Sequence, residues 1–248
     1  MNWVLLHGFV GSSADFDPLR EHLGEVGRVE APDWPGHGSR SALRSPEDYT
    51  LEAHLGIIDA ATRDLRGPVT LVGYSLGGRI LQHWLADRRP TLPAGSRIAL
   101  VSTSPGIDDP AERTERRAGD AAVCRLLRED GIGRFLHYWH SQTMFHPLMR
   151  MPPDRLAPIL ARRRACDPEG LALSLEGVGA GSIGPTWDAF GELGAPVSLV
   201  VGARDARYAE LAQSMRERMP AGSIHVVADA GHALHLERPV ELASALTA

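Results

Sequence analysis

The sequence predicts an α/β protein with a mostly parallel sheet that is covered by helices on both faces. Short apolar runs bounded by glycine or proline indicate strands buried on both faces, and they are Trp3–Leu6, Val69–Val72, Ile98–Val101 and Val197–Val201. Helical patterns occur between or after these runs, at Leu51–Leu65, Ile80–Leu85 and Ala209–Met219. Strands that alternate with helices in this way favour a parallel sheet.

Composition and charge narrow the class of protein. The chain of 248 residues is 43% hydrophobic and 23% charged, with a formal net charge of −5. This charge argues against a general nucleic-acid binder. No apolar run approaches the roughly 20 residues of a membrane helix, and no signal peptide is evident. The two cysteines, Cys124 and Cys166, do not suggest a disulfide framework, so we expect a protein of the reducing cytoplasm.

The alternation of strands and helices stops between about residues 106 and 193. This stretch is rich in arginine and helix-forming residues and lies between two predicted strands, so the chain must leave the sheet and return. We interpret it as a helical cap over the carboxyl edge of the sheet, where open α/β folds bind ligands. A peripheral insertion is the alternative. The expected organisation is a core formed by residues 1–105 and 194–248, with a cap at 106–193.

The strongest signal for chemistry is Gly-Tyr-Ser-Leu-Gly at residues 73–77. It fits Gly-x-Ser-x-Gly directly after a predicted strand and before a predicted helix, which is the context that this motif requires. Its glycines allow strand and helix to approach closely around a strained turn, which exposes the Ser75 hydroxyl near the helix N-terminus. The alternative is a glycine-rich turn with an incidental serine.

The loop after the first strand predicts an oxyanion site. In enzymes with this serine turn, that loop donates one backbone N–H to a developing oxyanion, and the residue after the serine donates another. We assign the donors to Phe9 and Leu76, each of which could supply roughly 3 kcal/mol of transition-state stabilisation. We interpret His7 as packing its own loop and His37 as holding the loop at residues 33–38, with a direct role of His37 as the alternative.

A serine hydroxyl is weakly reactive at neutral pH, so it requires an adjacent imidazole that is in turn oriented by an acid. The chain contains 11 histidines, and position must select among them. In this class of enzyme the chain order is serine, acid, histidine. Asp205 and His232 each follow an apolar strand pattern, which places them at the same sheet edge as Ser75. We assign them as acid and base, with Asp229 and His235 as the alternatives.

Several motifs together resemble the α/β-hydrolase superfamily. They are His-Gly-Phe at 7–9, Asp-x-Pro-Gly-His-Gly at 33–38, Gly-Tyr-Ser-Leu-Gly-Gly-Arg at 73–79, Gly-x-Arg-Asp at 202–205 and Ala-Gly-His at 230–232. The longer string Leu-Val-Gly-Tyr-Ser-Leu-Gly-Gly-Arg at 71–79 more narrowly resembles the 2-succinyl-6-hydroxy-2,4-cyclohexadiene-1-carboxylate synthases of menaquinone biosynthesis. The similarity extends through the arginine segments of the predicted cap. The resemblance implies the α/β-hydrolase fold.

The same resemblance implies a carbon–oxygen lyase. Its substrate would be 2-succinyl-5-enolpyruvyl-6-hydroxy-3-cyclohexene-1-carboxylate, from which pyruvate leaves by 2,5-elimination after Ser75, activated by His232, abstracts a ring proton. The family's substrate-binding residues correspond to Tyr74, Arg79, Arg116, Trp139 and Arg163. Guanidinium groups suit such a substrate because they stay charged and bind carboxylates bidentately.

The cap residues also have simpler interpretations. From spacing alone, Arg116 and Arg163 are more typical of a solvated helix face. A slip of one residue would exchange Arg163 with Arg162 or Arg164. Trp139 is equally consistent with the core of the cap.

Two other functions remain open at this point. The first is a serine hydrolase acting on an ester, thioester or carbon–carbon bond of a small carboxylate, and the second is a binding protein on an inactive hydrolase scaffold. We expect neither metal nor cofactor, because the chain lacks metal-ligand spacings and a dinucleotide fingerprint. The expected partner is a small carboxylate substrate, with no nucleic acid and no membrane insertion. We expect a monomer or a small homo-oligomer.

Overall fold

The computed structural model describes residues 1–24, 27–193, 195–219 and 222–247. The strands are β1 (Asn2–Leu6), β2 (Val29–Glu30), β3 (Val69–Tyr74), β4 (Arg97–Val101), β5 (Val197–Gly202) and β6 (Gly222–Val227). They form one six-stranded sheet in the order β2-β1-β3-β4-β5-β6, and every pair is parallel. The predicted α/β class and parallel sheet are confirmed.

The strand order reverses next to β1. The chain first runs outward from β1 to β2 and then returns to place β3 on the other side of β1, with Leu6 opposite Gly73 at the carboxyl ends. The loops that follow the neighbouring strands β1 and β3 therefore run in opposite directions and leave a crevice between them. Open α/β sheets bind ligands at this kind of position.

Helices cover both faces of the sheet. They are α1 (Asp17–Arg20), α2 (Leu51–Thr62), α3 (Leu76–Arg88), α4 (Pro110–His140), α5 (His146–Met149), α6 (Pro153–Arg164), α7 (Pro168–Val178), α8 (Ala206–Glu217), α9 (Leu234–Glu237) and α10 (Pro239–Thr247). Short 3-10 turns occupy Ser13–Phe16, Gly38–Arg40, Pro46–Tyr49, Thr143–Phe145 and Trp187–Glu192. The three predicted helices coincide with α2, α3 and α8, with ends shifted by several residues.

Alternation along the strands divides the core into two layers. Val4 and Leu6 of β1 face the layer that contains α2, α3 and α8. Trp3 and Leu5 face the opposite layer, which contains α1, α9 and α10. Both sets are almost fully buried, and each large apolar side chain removed from water contributes about 1.5–3 kcal/mol. This two-sided burial explains why the inner strands β1, β3, β4 and β5 have largely apolar sequences.

The chain between β4 and β5 is helical and contains α4, α5, α6 and α7; we call these four helices the cap segment. Its longest helix, α4, spans 31 residues and is interrupted at Gly131, whose φ is 75°. The first part of α4 packs on α7 around a separate apolar cluster that includes Leu127 and Leu171. Arg128 also forms a bidentate ion pair with Glu169 at 2.8 and 2.9 Å. The division of the chain at residues 106 and 193 stays a prediction.

Two further findings concern the described parts of the chain. None of the helices there combines the length and apolar character needed to cross a membrane. Cys124 and Cys166 are free thiols, and burial raises the pKa of each to about 11. Both thiols are therefore protonated at neutral pH.

Candidate active site

Ser75 lies in a sharp turn between β3 and α3. Its φ of 51° and ψ of −111° are strained for a residue with a side chain. The backbone is held from the β4 side, because Ser75 N–H donates to Val101 O at 3.0 Å and the Thr103 hydroxyl donates to Ser75 O at 2.7 Å. The neighbouring strand therefore fixes the turn, and the Ser75 side chain points into a cavity at the carboxyl edge.

Close packing at Gly77 brings α3 against the loop after β1. A Cβ at Gly77 would lie 2.2 Å from Leu6 O, so no larger residue fits without moving the backbone. This contact places Leu76 and Phe9 beside Ser75 in the cavity wall. Within the described residues, neither the Leu76 N–H nor the Phe9 N–H donates a hydrogen bond. Both are available to an oxyanion, and their assignment as donors stays a prediction.

His232 and Asp205 complete a hydrogen-bonded chain with Ser75. His232 Nε2 lies 3.0 Å from Ser75 Oγ, and His232 Nδ1 lies 2.7 Å from Asp205 Oδ2. Asp205 follows β5 and His232 follows β6, so all three side chains converge at strand ends. Asp205 is only 4% exposed and His232 only 1%. The structure thus brings together the three residues that position along the chain had selected.

The two alternative residues lie elsewhere. Asp229 is exposed and pairs with Arg204, with Nη2 and Oδ1 2.6 Å apart. His235 is buried and packs on the ring of Tyr74, with centroids 4.2 Å apart. Neither makes a hydrogen bond with Ser75 or His232. Only Asp205 and His232 have the geometry that an acid and a base require.

The hydrogen-bond pattern assigns the tautomer of His232. A carboxylate oxygen accepts hydrogen bonds, so Nδ1 is assigned the proton that it donates to Asp205, and Nε2 accepts from the Ser75 hydroxyl. Burial lowers the pKa of His232, while the hydrogen bond and charge of Asp205 raise it in partial compensation. Because the net shift is downward, the imidazole is neutral at pH 7 and is able to take a proton from Ser75.

Glu237 holds the loop that carries His232. Its carboxylate accepts from the N–H of Gly231 at 2.6 Å and from the N–H of Ala233 at 3.1 Å. These two amides flank His232 on either side. The backbone N–H of His232 also donates to Met144 O at 3.3 Å. Hydrogen bonds from α9 and from the cap side therefore both fix this loop.

A cavity of about 300 Å³ opens above Ser75 and lies between the sheet edge and the cap segment. Aromatic side chains form much of its wall. Its lining also contains the charged residues Arg79, Arg116, Asp120 and Arg207. The predicted ligands Tyr74, Arg79, Arg116 and Trp139 all line this cavity.

Arg79 is a cation with no counter-charge in contact. It sits on the first turn of α3, is 9% exposed, and its guanidinium makes no ion pair with any described residue. Its Nε is buried without a hydrogen-bond partner, and burial lowers the pKa of the side chain. A buried charge of this kind is costly unless it is paired. An anion that binds in the cavity next to Arg79 would therefore pair with this buried charge.

Arg116 reaches the same cavity from α4. Its Nε donates to Asp120 Oδ1 at 2.8 Å, and Asp120 is itself buried and lines the cavity. The second carboxylate oxygen, Asp120 Oδ2, accepts from Gly181 N–H at 3.4 Å. The interpretation of Arg116 as part of a fully solvated face is thus not supported. Asp120 orients the guanidinium in the cavity wall.

The two aromatic predictions have different surroundings. Tyr74 is buried between His232 and His235, at centroid distances of 5.4 and 4.2 Å. Trp139 packs edge-on against Phe9 at 5.3 Å and also against cap aromatic residues. Trp139 is therefore both part of the cap core and part of the cavity wall.

Arg163 differs from the sequence expectation. It is buried, and its Nη1 lies 2.8 Å from His140 Nε2. Burial lowers the pKa of His140 to about 4, so this nitrogen is an unprotonated acceptor. The Arg163 guanidinium lies 6.0 Å from the ring centroid of Phe145, which lines the cavity, whereas Arg163 does not. Arg163 therefore sits behind the wall and does not join Arg79 and Arg116.

Its neighbours point elsewhere. Arg162 pairs with Asp15, with Nη2 and Oδ1 2.7 Å apart, and Arg164 lines a different cavity formed by α4 and α6. Of these three consecutive arginines, Arg163 is the one whose side chain is buried towards the site.

The two loop histidines are structural. His7 Nε2 accepts from Trp34 N–H at 3.1 Å, and His7 Nδ1 donates to Gly8 O at 2.8 Å. His37 Nδ1 donates to Pro35 O at 3.0 Å, and burial lowers the pKa of His37 to about 3. Both rings are therefore neutral and tie their loops to the backbone, and neither lines the cavity.

Sequence reasoning missed several cavity residues: Asp120, Gln142, Arg207 and Tyr208. Arg207 and Tyr208 had a usable signal, because they occupy the first turn of the helix that begins directly after Asp205. Tyr208 packs on His232 with ring centroids 4.5 Å apart. Asp120 and Gln142 had none, since their approach depends on how α4 folds back over the sheet. In the described ranges, no three His, Cys, Asp or Glu side chains cluster as metal ligands.

Comparison with known proteins agrees with this geometry. A family model described as the alpha/beta hydrolase family matches residues 3–245. A Bacillus subtilis (strain 168) protein that is provisionally named 2-succinyl-6-hydroxy-2,4-cyclohexadiene-1-carboxylate synthase is 32% identical over 95% of this chain and 85% of its own length. A Salmonella arizonae synthase of the same name is 28% identical over 99% of this chain and 92% of its own length.

A solved structure, described as MenH from S. aureus, superposes with a TM-score of 0.89 and 27% sequence identity. The match covers 98% of this chain and 91% of that one. Sequence and structure thus agree along almost the whole length, including the cap segment. The chain belongs to the alpha/beta hydrolase family.

Proposed function

We propose that this protein is a carbon–oxygen lyase that removes pyruvate from 2-succinyl-5-enolpyruvyl-6-hydroxy-3-cyclohexene-1-carboxylate. The observation that carries the proposal is that Ser75 and His232, which is bonded to Asp205, line the same cavity as Arg79 and Arg116. The first group supplies a base, and the second supplies sites for a multiply charged carboxylate. The names of the relatives support the same reaction.

The elimination balances without an oxidant or a co-reactant. Ring carbon 2 carries a proton that is both allylic and adjacent to the succinyl ketone. Its removal places the C–H electron pair in a new double bond between carbons 2 and 3. The original double bond between carbons 3 and 4 moves to carbons 4 and 5, and the bond from carbon 5 to the enolpyruvyl oxygen breaks. The enolpyruvate then takes up a proton at its methylene carbon and becomes pyruvate.

In our proposal Ser75 removes that proton. The Ser75 hydroxyl passes its own proton to His232 Nε2 as Oγ accepts the proton from carbon 2. Asp205 stabilises the imidazolium that results and keeps Nδ1 protonated. The proton on His232 then becomes available for the departing enolpyruvate, which returns the site to its starting state. No bond between Ser75 and the substrate is needed.

The two free amides suit the charge that develops in this step. Removal of the proton beside a ketone places negative charge on the ketone oxygen. The N–H groups of Phe9 and Leu76 lie next to Ser75 without an internal acceptor, and donors aimed at such an oxygen are worth about 3–4 kcal/mol each. We assign them to the succinyl ketone oxygen.

The arginines define the substrate class. We propose that Arg79 binds a carboxylate close to Ser75, because its guanidinium is buried and lacks an acidic partner. Arg116, oriented by Asp120, binds a second carboxylate from the cap side. Tyr74 and Trp139 confine the ring between them. For Arg163 we keep an indirect role, through its charge behind Phe145. The predicted cytoplasmic location and monomeric or small homo-oligomeric state remain predictions.

A serine hydrolase is the second candidate. The specific observation that favours it is the strained Ser75 turn beside two free backbone donors, because the same arrangement serves a tetrahedral acyl intermediate. This candidate requires Ser75 to form a covalent bond with an acyl group. It would act on an ester, thioester or carbon–carbon bond of a small carboxylate.

Two assays separate the candidates. Pyruvate release from the enolpyruvyl substrate is followed next to hydrolysis of p-nitrophenyl acetate, for the wild type and for Ser75→Ala. We expect fast pyruvate release and poor ester cleavage, with the former abolished in the variant. Ser75-dependent ester cleavage without pyruvate release would transfer the function to the hydrolase candidate and leave the site intact.

A further inference from the structure

Arg207 is a third cation in the cavity that holds Ser75. It lies in the first turn of α8, two residues after Asp205 and directly before Tyr208, whose ring packs on His232. Arg207 is among the residues that line the cavity, and it is exposed to solvent. Its guanidinium makes no hydrogen bond or ion pair with any residue that the structure describes. Arg207 is thus placed and free to bind a ligand in this cavity.

The charges that line the cavity do not balance. Arg79, Arg116 and Arg207 bring positive charge, and Asp120 is the acidic residue among the lining side chains. Asp120 is already engaged by Arg116 at 2.8 Å. Neither Arg79 nor Arg207 makes an ion pair with an acid that the structure describes. A cavity with this excess of positive charge favours a ligand that carries more than one negative charge.

The proposed substrate has three carboxylates: one on the ring, one on the succinyl chain and one on the enolpyruvyl group. Arg79 and Arg116 account for two of them. Arg163, which the family resemblance suggested for a third, lies behind Phe145 and is bonded to His140. Resting on the proposed function, we infer that Arg207 binds the remaining carboxylate of the substrate.

The position of Arg207 determines which step it serves. It is exposed, whereas Arg79 is almost fully buried next to Ser75. A contact made at the edge of the cavity is present equally in the bound substrate and in the transition state. Such uniform binding lowers KM and leaves kcat unchanged. An exposed guanidinium also attracts an anionic substrate before contact, and added salt shortens the range of this attraction.

The test compares Arg207→Gln, Arg207→Lys and Arg216→Gln with the wild-type protein. Arg216 is the matched control because it lies on α8 as well, about 14 Å along the helix axis, and donates to Met219 O outside the cavity. We expect Arg207→Gln to raise KM for the enolpyruvyl substrate about 5- to 10-fold, less than for a buried pair because solvent screens an exposed guanidinium, with kcat within about threefold. Lysine should restore part of the affinity, and Arg216→Gln should match the wild type.

Added salt and a neutral substrate give two further readouts. The KM of the wild type should rise with ionic strength more steeply than that of Arg207→Gln. Hydrolysis of p-nitrophenyl acetate, a substrate without a carboxylate, should change far less in Arg207→Gln than the KM for the enolpyruvyl substrate does. Equal KM values for Arg207→Gln and the wild type, or equal losses in the two glutamine variants, would overturn the inference.

A binding titration separates this inference from the proposed reaction. If the wild type releases no pyruvate, the proposed function fails, and binding of propane-1,2,3-tricarboxylate is then measured by calorimetry at low salt. Weaker binding by Arg207→Gln than by Arg216→Gln would support the carboxylate role of Arg207 on its own. Equal affinities, including absence of binding to every variant, would overturn it.

Discussion

The two walls of the cavity are built differently. The wall at the sheet edge carries Ser75, Asp205 and His232, whose polar atoms are bonded to one another and whose loops are held by neighbouring strands. The wall formed by the cap segment consists of aromatic rings and of Arg116, whose side chain is 38% exposed. Asp205 and His232, by contrast, are 4% and 1% exposed.

This difference indicates that the sheet-edge wall mainly positions the reacting groups, whereas the cap wall mainly contacts the substrate. At the sheet edge, every contact restricts a reacting group, and such groups need placement to within a fraction of an ångström. On the cap side, one acid, Asp120, orients one cation, and most of the rest of the wall is apolar. We therefore expect changes to Ser75, Asp205, His232 and the loops that hold them to lower kcat. Changes to the arginines that bind carboxylates, on either wall, should raise KM.

The largest effect is expected from the reacting pair. Ser75→Ala and His232→Ala should each reduce pyruvate release by roughly 10³-fold or more, because the two residues act as a unit. The Tm of Ser75→Ala should stay close to that of the wild type, since among the described residues its Oγ bonds only His232. Ser104→Ala is the matched control, a serine after β4 whose hydroxyl makes no described hydrogen bond. Near-full activity in Ser75→Ala would remove the assignment of the base.

Arg79 lies at the sheet edge, but we propose that it binds substrate. Its variants therefore test whether a residue of this wall affects KM. Arg79→Gln should raise KM for the enolpyruvyl substrate roughly 30- to 100-fold, at the upper end of a charged hydrogen bond, since the group is buried. Arg79→Lys should recover only part of this, because an ammonium cannot bind a carboxylate bidentately. Steady-state kinetics of both variants measure the effect. Unchanged kinetic constants would show that Arg79 anchors nothing.

Glu237 does not touch the reacting atoms but holds the loop that carries His232. Glu237→Ala should lower kcat about tenfold with KM unchanged, because the amides of Gly231 and Ala233 lose their acceptor and His232 loses its placement. Glu237→Gln keeps one acceptor oxygen and should recover part of kcat. Glu241→Ala, an exposed acid on the neighbouring helix α10, should be silent.

Pyruvate release and thermal unfolding of these three variants distinguish positioning from stability alone. A merely structural Glu237 would lower Tm and leave kcat of the folded fraction at the wild-type value. A fall in kcat that glutamine partly rescues, at temperatures well below Tm, requires the effect to pass through His232.

The sheet-edge wall was largely predictable from the sequence, and the cap wall was not. Ser75 and Asp205 follow strands with short, continuous apolar runs, and His232 follows the Val-Val pair that ends β6. Their place at the carboxyl edge therefore follows from strand order. β2 escaped prediction because only Val29 and Glu30 form it, too short for any periodic pattern. Its place beside β1 depends on a tertiary contact.

On the cap side, local patterns were insufficient. The contrast among Arg162, Arg163 and Arg164 depends on how α6 rotates against α4, and no periodicity specifies that angle. Asp120 is positioned by tertiary contacts of α4, such as its hydrogen bond from Gly181 N–H, which no local pattern specifies. Arg116 and Trp139 were reached through a family resemblance, whereas Arg207 was missed although it lies beside Asp205.

The smallest expected effect is on the pH dependence of activity, because charged residues of both walls shift the pKa of His232. His232 must be neutral to act as the base, and its pKa is lowered by burial, by Arg79 and by Arg163 against the opposing effect of Asp205. Activity is therefore full above this lowered pKa and is lost as pH falls through it. The acid limb of kcat/KM, which reports the free enzyme, should have its midpoint below the ordinary value of about 6.5.

Arg163 gives the sharpest form of this test because it lies outside the cavity. Arg163→Gln removes a positive charge near His232, so the pKa of His232 should rise and the acid limb should move to higher pH. KM measured at pH 8, where His232 is neutral in both proteins, should stay close to the wild-type value, since Arg163 does not line the cavity. A large rise in KM at that pH, with the acid limb unmoved, would instead mean that Arg163 contacts the substrate and that the cap wall rearranges when the substrate binds.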